Sequence, residues 1–237
     1  MEVRTVRFRR AFAAGRVGRV ESRDTGSDAE VLVGLPPNRI ETLVDGIFAV
    51  AMTILVLELH VPELAHEVSE AELVHALGHL APQILSYASG FVILGTLWVG
   101  HHYQFHYIQR SNRALLWINL VFLLAIAFLP FVVALIGTYG AMRPACILYG
   151  ATLMVAGTCL LAQWQYAAGG ARRLVARSMS QEVFAAIRNR VAAGMIGYGV
   201  GLALAFVFPV ASLFCYAAMP LLYLVPSRID RHVKASG

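Results

Sequence analysis

Five stretches of this chain, near 40–59, 83–102, 114–136, 144–166 and 190–208, are apolar for the length of a bilayer crossing, and a shorter sixth lies near 211–226. A hydrocarbon core about 30 Å thick takes about 20 apolar residues in an α-helix, and inside it every backbone amide must find its partner within the fold. The expected class is therefore an all-α polytopic membrane protein with six transmembrane helices. One helix running through 190–226 would be about 55 Å long, so the last two runs are expected to form a tight hairpin at Pro209. Composition agrees. Of 237 residues 58% are hydrophobic and 14% charged, with mean hydropathy +0.66, against about 45–50% and about 25% in soluble domains. A soluble enzyme is thereby excluded.

Positive charge sets the expected orientation. Once the six runs are placed, all of the 19 lysines and arginines except Arg143 fall on one side of the membrane, which makes that side cytoplasmic, with both termini there. Residues 1–38 carry seven arginines before Arg39 and no apolar core of signal-peptide length, so they are expected to be a disordered basic tail; Glu2, Glu21, Asp24, Asp28 and Glu30 argue against a mitochondrial presequence. Residues 227–237 are expected to form a second cytoplasmic tail. The first outer loop, about 60–81, is acidic, with Glu63, Glu67, Glu70 and Glu72 beside four histidines. In the loop before the fifth run, Ser178 is a candidate N-cap, with Glu182 in the first turn that follows. The cysteines Cys146, Cys159 and Cys215 lie in apolar runs without a CxxC pair, so three buried thiols are expected.

Ionisable and amide groups inside apolar runs are costly and mark function or specific packing. The first run contains Arg39, Glu41, Asp45 and Glu58, and Asp45 lies about 9 Å along a helix from Arg39, near the cytoplasmic end. The alternating course of the spans brings His101, His102 and Asn119 to that same depth. One reading is a hydrogen-bonded brace that holds the first span against the second and third; the other is a set of unrelated interfacial side chains. His102 and His106 share a helical face, but two histidines without a third ligand do not make a metal site. His75 and His79 have the same spacing and fit a solvated helix face.

Along the first run, Gly46, Val50, Thr53 and Leu57 are spaced four, three and four residues apart. At about 100° per residue they fall within roughly 60° of one another. Such a stripe suits a helix-packing seam as well as a pore wall. Thr138-Tyr139-Gly140 lacks the flanking order of a carbonyl-lined filter and reads as a polar turn. There is no P-loop, no GxSxG and no arginine ladder.

Three ordered motifs carry a resemblance. The segment Arg39 to Glu58 resembles the first helix of the lysosomal potassium channel family in its prokaryotic branch, which opens with R-x-x-x-F-S-D and continues G-hydrophobic-F-A-I-A-hydrophobic-T. Arg39 and Asp45 match, while Leu43 and Val44 stand in place of the phenylalanine and serine. Leu97-Trp98-Val99-Gly100-His101-His102-Tyr103-Gln104-Phe105 resembles the W-x-x-H-H-x-x-F that closes the second helix. Leu116-Trp117-Ile118-Asn119-Leu120 through Pro130-Phe131 resembles the third. The resemblance covers about 39–226.

It implies a six-helix channel domain over 39–226 that assembles as a homotetramer in a bacterial plasma membrane, its first helices lining a pore for potassium and other monovalent cations. It implies no catalysis, no cofactor beyond the permeant potassium ion, and no nucleic-acid partner. Carried over by position, the constriction falls on Val50, a threonine layer on Thr53 and a further apolar layer on Leu57, with Gly46 on the same stripe. Arg39, Asp45, Trp98, His101, His102 and Asn119 become a structural polar network. A secondary ion-coupled transporter is the alternative.

Overall fold

The computed structural model describes residues 36–62, 68–169, 174–176 and 179–221. They form seven α-helices: α1 (Pro37–Leu57), α2 (Glu70–His79), α3 (Ala81–Tyr107), α4 (Arg113–Tyr139), α5 (Arg143–Ala168), α6 (Gln181–Ala205) and α7 (Pro209–Ala218). Apart from Pro36 and the first turn of α1, the expected tails at 1–38 and 227–237 lie outside the described residues, as do Glu63, Glu67 and Ser178.

Four helices, α1, α3, α4 and α5, are long and apolar enough to cross a membrane. They coincide with the first four expected spans. The fifth expected span, near 190–208, begins within α6 and runs past its end at Ala205; α6 carries Glu182, Arg188 and Arg190 and is not one of the four. Only Pro209–Ala218 of the sixth forms a described helix, too short to cross a bilayer by itself. The expected break at Pro209 is present: α6 ends at Ala205, Phe206–Phe208 turn the chain, and Pro209 opens α7 where its missing N–H costs no helical bond.

Local chemistry explains the other helix ends. Asn112 Oδ1 accepts from the Leu115 amide at 3.0 Å and starts α4, while its Nδ2 donates to Tyr166 Oη of α5 at 2.7 Å. Gly140, at φ +60°, ends α4 in the left-handed region that glycine tolerates. Ser180, two residues beyond Ser178, caps α6 by accepting from the Val183 amide, and Glu182 falls in the first turn as expected. Ser69 and Glu72 close a capping box around the start of α2, and the hydrogen bonds from the Ser69 backbone and hydroxyl hold the Glu72 carboxyl below the usual range. His75 and His79 sit on this exposed helix with rings edge to face, 4.6 Å between centroids.

The core is built on α4 and α5, which carry the largest sets of buried side chains. α1 packs on α3 and α4; α6 and α7 pack on α5 and on each other. Two close approaches depend on missing side chains. Gly90 of α3 lets Val133 of α4 come so near that a Cβ would lie 2.7 Å from its Cγ2. Gly150 of α5 and Gly201 of α6 flank the ring of Tyr216 of α7, and a Cβ on either would overlap that ring. Tyr216 is fully buried there and donates its hydroxyl to the Cys146 carbonyl at 3.3 Å.

Candidate functional site

With 21 residues, α1 is about 30 Å long, one hydrocarbon thickness. Its apolar residues divide into two faces. Ile40, Val44, Phe48, Ala51 and Leu55 are buried against the rest of the protomer. Gly46, Val50, Thr53 and Leu57 lie on a face centred about 150° away by helical register, and all four are exposed, Val50 by 55% and Leu57 by 72%. A Cβ built on Gly46 meets nothing within 4 Å, so this glycine serves no packing seam inside the protomer. The stripe is thus the middle of the wider side of α1 that the protomer leaves free, which also carries Leu43, Ala49, Ile54 and Val56.

Thr53 adds a polar layer to that face. Its hydroxyl donates to the Ala49 and Val50 carbonyls, each at 2.9 Å. With the proton turned back onto the helix, the oxygen lone pairs remain to accept or to touch a cation. Thr53 lies about 4.5 Å above Val50 along the axis, and Leu57 about 6 Å further. Glu58, also exposed, ends the helix about 100° around from Leu57.

The polar residues of the expected network divide into two separate links and one outlier. Trp98 Nε1 of α3 donates to Asp45 Oδ1 of α1 at 2.8 Å. The exposed His102 ring stacks on Trp98 with centroids 5.5 Å apart. A second link joins α3 to α4: the His101 ring donates from Nε2 to Asn119 Oδ1 at 2.9 Å, both residues only 2% exposed, with the imidazole stacked between Phe105 and Phe122. Asp45 and Trp98 are exposed on the protomer, so their bond is no buried charge pair. Arg39 joins neither link; it is exposed at the start of α1 and pairs with no carboxylate among the described residues.

One buried polar pair escapes the sequence reading. Gln163 of α5 donates to Gln104 Oε1 of α3 at 2.8 Å, and Gln104 donates to the Leu160 carbonyl at 3.0 Å, with both glutamines fully buried. The only signal for Gln163 is an amide inside the run Leu160-Leu161-Ala162-Gln163-Trp164, and nothing in the sequence names its partner. Among the described residues, no three histidine, cysteine or acidic side chains cluster as metal ligands would.

Comparison with known proteins bears on this arrangement. The family model described as TMEM175, endosomal/lysosomal potassium channel, matches residues 39–130, the segment that holds the α1 stripe and both polar links. A potassium channel of Streptomyces collinus is 31% identical over 189 residues, 78% of this chain and 90% of the relative. The chain belongs to the TMEM175 family. A potassium channel of Chamaesiphon minutus is 33% identical over 173 residues, 71% of this chain and 84% of that one. The crystal structure of a lysosomal potassium-selective channel TMEM175 homolog from Chamaesiphon minutus superposes with a TM-score of 0.69 at 29% identity, covering 79% of this chain and 96% of the homolog. The all-α membrane fold is therefore that of TMEM175 proteins, a family of ion channels and not of enzymes.

Proposed function

We propose that this protein is a potassium channel of the TMEM175 family, working as a homotetramer in a bacterial plasma membrane, with four copies of α1 around the pore. The observation that carries the reading is the similarity to the Streptomyces collinus potassium channel over 90% of that protein's length. The exposed α1 stripe supports the pore assignment, because a protomer that buries one face of α1 and leaves Gly46, Val50, Thr53 and Leu57 free has a surface for a symmetric axis to use.

Fourfold symmetry turns each stripe residue into a ring of four. A ring of valines is the narrowest apolar layer in this reading, and such a layer gates by dewetting: water and ions leave it together unless it widens. The Thr53 ring above it offers hydroxyl oxygens to a partly dehydrated cation, and Leu57 forms a second apolar layer. Gly46, without a side chain, keeps the path wide below the constriction. Glu58 draws cations toward the outer mouth without lining it. Asp45–Trp98 orients α1 against its own protomer, His101–Asn119 ties α3 to α4, and both stay clear of the ion.

The full reading includes six spans, the last two near 190–208 and 211–226, and cytoplasmic termini. The charge asymmetry supports that orientation. Recording the purified full-length protein in lipid bilayers under potassium and sodium gradients tests it. Discrete unitary steps with a reversal potential near that of potassium are expected; saturable, counter-ion-coupled flux without steps contradicts a channel and identifies a transporter.

A further inference from the structure

Arg39 and Asp45 are joined in one sequence motif but not in space. Six residues at about 100° each set their side chains about 120° apart around α1. Asp45 is engaged by Trp98. Arg39, seven residues before Gly46, falls within about 20° of it and continues the line Gly46, Val50, Thr53, Leu57 toward the start of the helix. Ile40 and Val44, each 1% exposed and about 100° and 140° around from Arg39, hold another side of the same turns against the protomer and turn Arg39 away from it. Arg39 is exposed and lacks a partner carboxylate among the described residues, while the nearest acid on its own helix, Glu41, lies about 160° around from it.

We propose that Arg39 shapes permeation: four Arg39 guanidiniums form a cationic ring at the cytoplasmic mouth, about 16 Å along the axis from the Val50 constriction, and favour inward over outward potassium current. The proposal rests on the reading that α1 of four subunits lines the pore. A guanidinium stays protonated at any working pH, and the first-turn N–H groups of four α1 helices add the same sign. A mouth lined by one sign of charge changes the local concentration of mobile ions; here it lowers potassium where outward current begins and leaves the outer mouth untouched. Because the mouth is wet, the effect is screened within about 8 Å at physiological salt and about 3 Å at 1 M. The ring therefore yields a rectification that fades as salt rises.

Patches from giant bacterial spheroplasts, which keep the sidedness of the cell, allow the test with the full chain. In symmetrical potassium chloride at low salt, wild-type channels are expected to carry smaller outward than inward unitary currents. Arg39→Gln should raise the outward current roughly twofold, Arg39→Glu should raise it further, and Arg39→Lys should keep the wild-type asymmetry. At about 1 M salt the differences should shrink. A wild-type current–voltage relation that is symmetric at low salt overturns the ring without any variant, so the test survives a variant that fails to assemble. Val50→Ala, recorded in parallel, separates the two levels of the account. If it changes conductance while Arg39→Gln and Arg39→Glu leave rectification untouched, the ring is wrong and the pore assignment stands; if it changes nothing, the pore assignment falls and takes the ring with it.

Discussion

Glycine plays opposite parts at two places in this molecule. At the Tyr216 socket, Gly150 and Gly201 face inward, and each makes room for a buried ring that locks α7 against α5 and α6. On the free face of α1, Gly46 faces nothing in its own protomer. Both lie in apolar helices, and sequence context alone does not tell them apart. The socket holds the fold together through shape, so changes there register as stability. The α1 face is spared from intraprotomer packing, so with the pore placement proposed above changes there register as conduction.

The largest expected effect comes from breaking the socket. Gly201→Val places a branched side chain in the Tyr216 ring and should destabilise the protein by about 1–3 kcal/mol through overpacking, seen as a lower thermal midpoint and poorer recovery from the membrane. Gly46→Val introduces the same side chain on the free face and should leave the midpoint nearly unchanged while lowering unitary conductance. If Gly46→Val instead destabilises the protomer as much as Gly201→Val, the contrast between the two regions fails.

Cutting the polar links should have intermediate effects, and in a fixed order. Asn119→Ala leaves the buried His101 ring without its acceptor and is expected to cost about 1–3 kcal/mol. Asp45→Asn keeps an acceptor for Trp98 and removes only the charge on an exposed bond, so it should cost less, below about 1 kcal/mol. Thermal midpoints of the two variants give the order directly. A stable Asp45→Asn channel with altered reversal potential would place Asp45 in the ion path and redraw the α1 face.

Thr53→Val sharpens the comparison from the other side. It keeps the shape and removes the oxygens, so potassium preference should fall while assembly and midpoint hold; identical selectivity would exclude an ion contact at Thr53. The smallest effect belongs to α2. Because the Glu72 carboxyl titrates below its usual range in the folded protein, its contribution to α2 is complete above the unfolded carboxyl value and is lost as pH falls through the lowered folded one. The protection of the first α2 amides, taken relative to the intrinsic exchange rate at each pH, should fall in that acid window. Glu72→Gln should exchange without that pH step.

The N-terminal half was readable because polar groups in apolar runs are conspicuous. Asp45, His101, His102 and Asn119 stand out residue by residue, and alternating spans bring them to one depth without any knowledge of packing, while Trp98 is marked only by the motif it opens. The two-link arrangement was not readable, since it depends on which face of α3 meets which neighbour: His101 and His102 are adjacent in sequence, yet one is buried against α4 and the other stacks on Trp98 at the surface. Arg39 and Asp45 share one motif and about 9 Å of helix axis, but neither says which face of α1 each side chain takes. The Gln104–Gln163 pair and the Tyr216 socket join helices far apart in sequence, so neither partner announces the other. The N-cap two residues past Ser178 reflects a weaker limit, because a serine pair offers the same oxygen at two registers.

Thiol accessibility on α1 tests the central claim most directly. Cysteine is introduced singly at Val50 on the free face and at Phe48 on the buried face, and unitary potassium current is followed before and after a small charged methanethiosulfonate reagent, with the wild-type protein as control for Cys146, Cys159 and Cys215. Val50→Cys current is expected to fall on modification, while Phe48→Cys current matches the wild-type response. Modification that leaves Val50→Cys current unchanged, or that blocks Phe48→Cys instead, would contradict a pore lined by this face of α1.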